Sequence, residues 1–193
     1  MKSNIDIEKD NQRKIAIKKR LLINKSINNK KLYFNKNLEK INWFNKGKIV
    51  ASFFSIRSEI PTSSLNQYIF DKNKILCFPV IDKKNDEILI FRKYTKGDEL
   101  ISGKFGIKVP SKGSQCLPDI IFTPCLAYDF DGFRLGYGGG YYDKTFFYLN
   151  SIKHKFIIVG LAYDDQRIDK VANNHLDQKL NYILTEKKLY KIL

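Results

Sequence analysis

The sequence predicts an α/β protein built on a mostly parallel sheet that helices cover on both faces. Three observations carry that prediction. Short apolar, β-branched runs alternate with segments of helical period along the chain, and such alternation is satisfied when crossover helices pack on a parallel sheet. Residues 48–54, apolar but for Lys48 and Ser52, and 156–162, apolar throughout, do not follow an every-second-residue pattern, which suits strands buried on both sides. At 193 residues the chain can bury one such core, and no repeat or linker-like stretch divides it. The organisation expected is a flexible N-terminus over residues 1–12 and a single α/β domain over residues 13–193.

The elements follow in order. Residues 1–12 are polar and expected to fray. Over residues 13–24, apolar positions 15, 17, 21 and 22 mix with cations in the pattern of a basic amphipathic helix, and residues 32–44 continue it or form a second helix. Residues 48–54 read as a buried strand. Residues 62–70 open with hydroxyl side chains suited to capping and read as a helix. A strand over residues 75–78, ended by Pro79, precedes another over residues 87–94, with residues 82–86 as the turn. The glycines and prolines of residues 95–118 predict a long loop, of the kind that serves as a binding element in compact domains. A strand at 119–122, a helix at 141–150, a strand at 156–162 and a last short strand at 182–185 complete the chain. Ligands of such sheets collect at the carboxyl ends of the strands. The loops after Phe54, Pro79, Pro124 and Ala162 therefore share one rim, where Glu59, residues 134–143 and Gln166 meet.

Composition narrows the function classes. No apolar run approaches the roughly 20 residues of a membrane helix, and the polar N-terminus has no signal-peptide core, so a cytoplasmic protein without a membrane partner is expected. Cys77, Cys116 and Cys125 are odd in number and not spaced as metal pairs, which reads as reduced and buried thiols. His154 and His175 lack the companions of a zinc site or a catalytic triad. The net charge of +15 invites a nucleic-acid partner. Against it, 29 of the 35 basic residues are lysine, spread over all segments; a binding face would cluster charge and favour arginine. The expectation is no nucleic acid, with the positive field steering an anionic substrate.

The chemistry concentrates in Arg134-Leu-Gly-Tyr-Gly-Gly-Gly-Tyr-Tyr-Asp143. A strand, a glycine-rich turn and a helix start bring backbone N–H groups together as anion donors. Gly136, Gly138, Gly139 and Gly140 let an anion approach the main chain. Arg134 adds a fork of donors, and Asp143 can hold a divalent cation beside the phosphate oxygens. The dinucleotide fingerprint would need glycine at Tyr141, and the Walker sequence would need Gly-Lys-Ser/Thr, which is absent. A plain glycine turn beside a buried Tyr141-Tyr142 pair is the alternative, and the flanking charge pair argues against it.

This segment, with Pro124-Cys-Leu-Ala-Tyr-Asp129 before it, resembles the 5-formyltetrahydrofolate cyclo-ligases, also called 5,10-methenyltetrahydrofolate synthetases. The resemblance extends from Lys14 across the chain, through Phe54-Ser55 and Glu59-Ile-Pro-Thr62 to Gly160-Leu-Ala-Tyr163, Gln166, Asp177 and Thr185-Glu186. It implies a three-layer α/β/α catalytic domain like those of sugar-phosphate isomerases and CoA transferases. It also implies ATP- and magnesium-dependent closure of 5-formyltetrahydrofolate to 5,10-methenyltetrahydrofolate with release of ADP and phosphate. A monomer is expected. Carried over residue by residue, Lys14 and Lys18 match the family's Lys-x-x-x-Arg pair on the nucleotide phosphates, with lysine in the second place. Arg134, Leu135, Gly136, Tyr137, Gly138, Gly139, Gly140, Tyr141 and Tyr142 would hold ATP, and Arg134 and Lys14 would act on the transferring phosphate. Asp143 and Asp177 match the magnesium positions. Phe54, Glu59, Phe105 and Tyr141 would face the reduced folate. Val109 and Asn181 stand where many relatives carry an acid.

Such chemistry asks for positioning and charge stabilisation rather than covalent catalysis. Two other activities remain open from the residues: a sugar-phosphate isomerase or transferase using the glycine loop for one phosphate, and a basic RNA-associated protein.

Overall fold

The computed structural model describes residues 2–27, 32–81 and 87–192. Helix α1 (Asn4–Ile27) opens the chain, and α2 (Asn35–Leu38) and α3 (Asn42–Lys46) lead to β1 (Ile49–Ala51). Helix α4 (Ser63–Asp71) connects to β2 (Ile75–Ile81), and β3 (Leu89–Tyr94) follows. A small hairpin of β4 (Leu100–Ser102) and β5 (Lys108–Pro110) precedes β6 (Gln115–Cys116) and β7 (Ile120–Pro124). A second hairpin, β8 (Ala127–Tyr128) and β9 (Arg134–Leu135), leads to α5 (Tyr141–Ser151), and β10 (Ile157–Leu161), β11 (Tyr182–Leu184) and β12 (Leu189–Lys191) end the chain.

The main sheet has the order β12-β11-β10-β7-β1-β2-β3-β6. Its five central strands run parallel, and β3, β6 and β12 add antiparallel pairings at the edges. Side-chain alternation makes the three layers. Val50, Leu76, Phe78, Ile120, Phe122, Val159 and Leu161 bury one face under α2, α3, α4 and the end of α1. Ala51, Cys77, Ile121, Ile158 and Ile183 bury the other against Phe146 and Leu149 of α5. Successive strand residues point to opposite faces, so a strand covered on both must be apolar without a break. Gly160 marks a close approach in that packing: a Cβ there would lie 2.7 Å from Leu180 Cδ1 and 3.2 Å from Cys125 Sγ.

Several expectations change. α1 starts at Asn4 rather than 13, through residues whose polarity reads as fraying. A reciprocal Ser3/Asp6 cap starts it, with Asp6 N donating to Ser3 Oγ and Ser3 N to Asp6 Oδ2, both at 3.2 Å. Pro79 lies inside β2 and does not end it: β1 pairs only as far as Cys77, so beyond it β2 has a free side where a missing N–H costs nothing. The expected long loop at 95–118 contains β4, β5 and β6, and β8, β9 and β12 went unread because two- or three-residue strands leave no period. The turn expected at 82–86 lies outside the described residues. Among the described residues no helix is long and apolar enough to cross a membrane. The three cysteines are buried and free, and His154 is tied to the Pro118 carbonyl at 2.9 Å.

Candidate functional site

The carboxyl ends of β1, β2 and β7, the glycine segment, the start of α1 and the β4–β5 hairpin enclose a cleft of about 1620 Å³. That exceeds the roughly 300–1000 Å³ taken by one drug-sized ligand, so there is room for two. Its two halves differ in chemistry.

One half is polar. Gly136 to Gly140 join β9 to α5, and Gly138 (φ +99°) and Gly140 (φ +68°) hold left-handed backbone. A Cβ on Gly138 would also meet the Arg13 guanidinium at 3.2 Å. Arg134 points across the loop. Its Nη2 lies 3.0 Å from Asp143 Oδ1, its Nη1 donates to the Gln178 carbonyl at 3.1 Å, and its guanidinium covers the Phe146 ring at 5.1 Å. Asp143 Oδ1 also accepts from Gln178 N at 2.9 Å. Asp177 Oδ2 accepts from Lys9 Nζ at 2.5 Å and from Asn174 N at 2.6 Å. Arg13 Nε donates to the Gly136 carbonyl at 3.0 Å.

The other half is flat and apolar. Phe54 stacks on Phe78 with centroids 4.0 Å apart and planes 22° apart. Phe105, at the tip of the β4–β5 hairpin, is 69% exposed and meets Tyr141 edge-on at 6.2 Å. Glu59 brings a carboxylate to this half, buried, with Oε2 accepting from Ile56 N at 3.0 Å and Oε1 3.8 Å from Arg20 Nη1. Burial pushes its carboxyl above the ordinary range, opposed by the Ile56 N–H, Arg20 and Arg57. Burial likewise pushes the Tyr142 phenol up.

The structure thus brings together Arg134 to Tyr142, Asp143, Asp177, Phe54, Glu59 and Phe105 around one cleft. Lys14 and Lys18 are not there. Both are exposed and neither lines the cleft. The inward face of α1 is Lys9, Ala16 and Arg20, with Arg13 one turn from Lys9. Lys9 and Arg13 repeat the Lys-x-x-x-Arg spacing with arginine in its second place. The signal that could have found them is the helical phase of Arg13 and Arg20, two of the six arginines in a chain that otherwise uses lysine. Gln166 reaches the rim as a strut: its Nε2 donates to the Cys125 and Leu126 carbonyls at 2.7 and 2.9 Å. Asn181 Oδ1 accepts from Ile158 N at 2.8 Å, a contact within the sheet, and Val109 lines the cleft from β5. His175 lines the cleft and is exposed.

A family model for 5-formyltetrahydrofolate cyclo-ligases matches residues 8–186. The chain belongs to that family. Among relatives of the cyclo-ligase family, the 5-formyltetrahydrofolate cyclo-ligase of Haemophilus influenzae is 38% identical over 145 residues, covering 72% of this chain and 76% of the relative. That of Escherichia coli K12 is 32% identical over 148 residues, covering 74% and 80%. The solved structure of Aquifex aeolicus 5,10-methenyltetrahydrofolate synthetase superposes with a TM-score of 0.73 at 26% identity, over 95% of this chain and 92% of that one. None of these relatives is a sugar-phosphate isomerase or transferase, the other enzymatic reading left open by the sequence.

Proposed function

We propose that the chain uses ATP to close 5-formyltetrahydrofolate to 5,10-methenyltetrahydrofolate, releasing ADP and phosphate. One observation carries this reading: a polar half lined by the glycine loop and a flat, carboxylate-bearing apolar half open into one cleft and meet at Tyr141, which borders the glycine loop and touches Phe105.

A formamide oxygen is a poor leaving group. In the proposed reaction it attacks the γ-phosphorus of ATP, and the bond to ADP breaks. The neighbouring folate nitrogen then attacks the activated formyl carbon, the carbon–oxygen bond breaks with its electrons leaving on phosphate, and the nitrogen gives up its proton. Arg134, Arg13 and Lys9 would carry the charge of the transferring phosphate, and the N–H groups of Gly136 to Tyr142 would hold the triphosphate. Tyr141 and Phe54 would cover the pterin, Glu59 would accept from its N–H groups, and Phe105 would close over it.

Asp143 and Asp177 would hold a magnesium ion. One or two carboxylates beside phosphate oxygens form its ordinary donor set, and among the described residues Asp143 Oδ2 and Asp177 Oδ1 have no hydrogen-bond partner. When bound, the ion would neutralise phosphate charge. We read the protein as a cytosolic monomer without nucleic-acid or membrane partners.

Purified protein given ATP, Mg²⁺ and 5-formyltetrahydrofolate is expected to build up the methenyl absorbance with one ADP per turnover. A folded sample that produces neither would overturn the proposal.

A further inference from the structure

Arg20 belongs to neither half of the cleft as described, yet its side chain is only 1% exposed. Three turns along α1 from Lys9, its guanidinium reaches three other segments. Nε donates to Ser58 Oγ at 3.2 Å, Nη1 to the Cys125 carbonyl at 3.2 Å, and Nη2 to the Tyr137 hydroxyl. Glu59 Oε1 lies 3.8 Å from Nη1, and the guanidinium stands 5.5 Å from the Tyr137 ring centroid. A buried guanidinium is costly unless its donors are used. Here they are used on the loop carrying Glu59, on the end of β7 and on the glycine loop.

We infer that Arg20 is a positioning residue for the reaction: it fixes the Glu59 carboxylate and Tyr137 in one frame, and supplies the positive charge that lets Glu59 face the pterin as an anion. The inference rests on the reading that Glu59 receives the reduced folate.

The groups around Glu59 are few. Ile56 N–H and Arg57 come from its own loop, Arg20 from α1, the Cys125 thiol from the chain just past β7, and the Tyr142 phenol from α5. Burial favours the neutral acid there, and Arg20 is one of the two cations that oppose it. Removing Arg20 therefore raises the Glu59 pKa further, and the anion is lost at a higher pH. An ionised carboxylate only accepts, as the pterin N–H groups require, whereas the acid form presents a donor. Folate affinity should fall as pH drops through the Glu59 pKa, and that acid limb should move up when Arg20 is removed.

The test is calorimetric affinity for 5-formyltetrahydrofolate without nucleotide, from pH 4.5, the ordinary value of the carboxyl, up to pH 9, for the wild type, Arg20→Met, Arg20→Lys, Glu59→Gln and the double variant Arg20→Met/Glu59→Gln. In Arg20→Met the limb is expected to shift to higher pH, with affinity below it falling about tenfold for each unit moved, while KM for ATP changes less than KM for folate. Arg20→Lys should lie between it and the wild type. Glu59→Gln should lack the limb, and the double variant should bind as Glu59→Gln does. A cooperatively folded Arg20→Met with an unmoved limb overturns the inference. If Arg20→Met does not fold, Arg20→Lys decides, and wild-type affinity with an unmoved limb overturns it. Wild-type binding by Glu59→Gln would instead sink the assignment of Glu59 and the inference with it, an outcome distinct from failure of Arg20 alone.

Discussion

Replacing Arg13 by alanine separates the observed phase of α1 from the one its apolar residues predict. In the structure Arg13 Nε holds the Gly136 carbonyl at 3.0 Å and lines the cleft, while Lys14, the next residue, is exposed. Arg13 Nη1 also pairs with the partly exposed Asp10 Oδ1 at 2.7 Å; losing the carbonyl bond costs about 1 kcal/mol of stability and the pair up to about 1 more, which for a chain of 193 residues lowers Tm by roughly 2–8 °C in all. Losing an ionised donor to a phosphate oxygen in an enclosed cleft costs about 2–3 kcal/mol of transition-state binding, or about a 30- to 150-fold drop in kcat/KM for ATP. Lys14→Ala and Lys18→Ala remove solvated side chains and should change the same constant by less than about twofold. Initial rates of methenyl formation at subsaturating ATP, with melting curves on the same samples, measure both. Equal losses in Lys14→Ala and Arg13→Ala would refute the phase. An Arg13→Ala whose lost activity merely tracks lost folding would refute its role toward phosphate.

Two further predictions concern other residues. Arg134→Ala should abolish ATP use and also lower unfolding stability by about 2–3 kcal/mol in urea, because the side chain is only 5% exposed and its loss leaves Asp143 without its cation and Phe146 uncovered; a variant of wild-type stability would contradict that burial. At Asp164, burial raises the carboxyl pKa, but hydrogen bonds from Tyr190 at 2.5 Å, from Lys187 and from Thr185 more than offset it, and the net shift is downward. A lowered folded pKa contributes stability above the unfolded value near 3.8, lost as pH falls through the folded one. Asp164→Asn should therefore flatten the fall of Tm between about pH 5 and pH 2, and an unchanged slope would count against the cluster.

The glycine segment was legible because its chemistry is local. A strand, a run of small residues and a helix start follow one another within the 134–143 stretch, and Arg134 and Asp143 flank them closely enough to meet whatever the rest of the chain does. The buried strands over 157–161 and 120–124 were legible because a sheet covered on both faces admits no polar alternation. The phase of α1 was not. Its apolar residues at 5, 7, 15, 17, 21 and 22 are exposed, while Lys9 and Arg20 flank Ala16 on the buried face, so hydrophobic period pointed to the wrong side. Lys9 faces Asp177, 168 positions away, and nothing in the first helix encodes that meeting.

The sequence by itself determined the class of sheet, the glycine turn between β9 and α5 and the rim on which the loops gather, since all three follow from short-range geometry and from which residues can be buried. Only the tertiary structure decided which cations of α1 enter the cleft, that Arg134 is enclosed, and that Arg20 joins the two halves. A charged side chain settles where carbonyls and carboxylates from distant segments can satisfy it, and those partners exist only once the layers have packed.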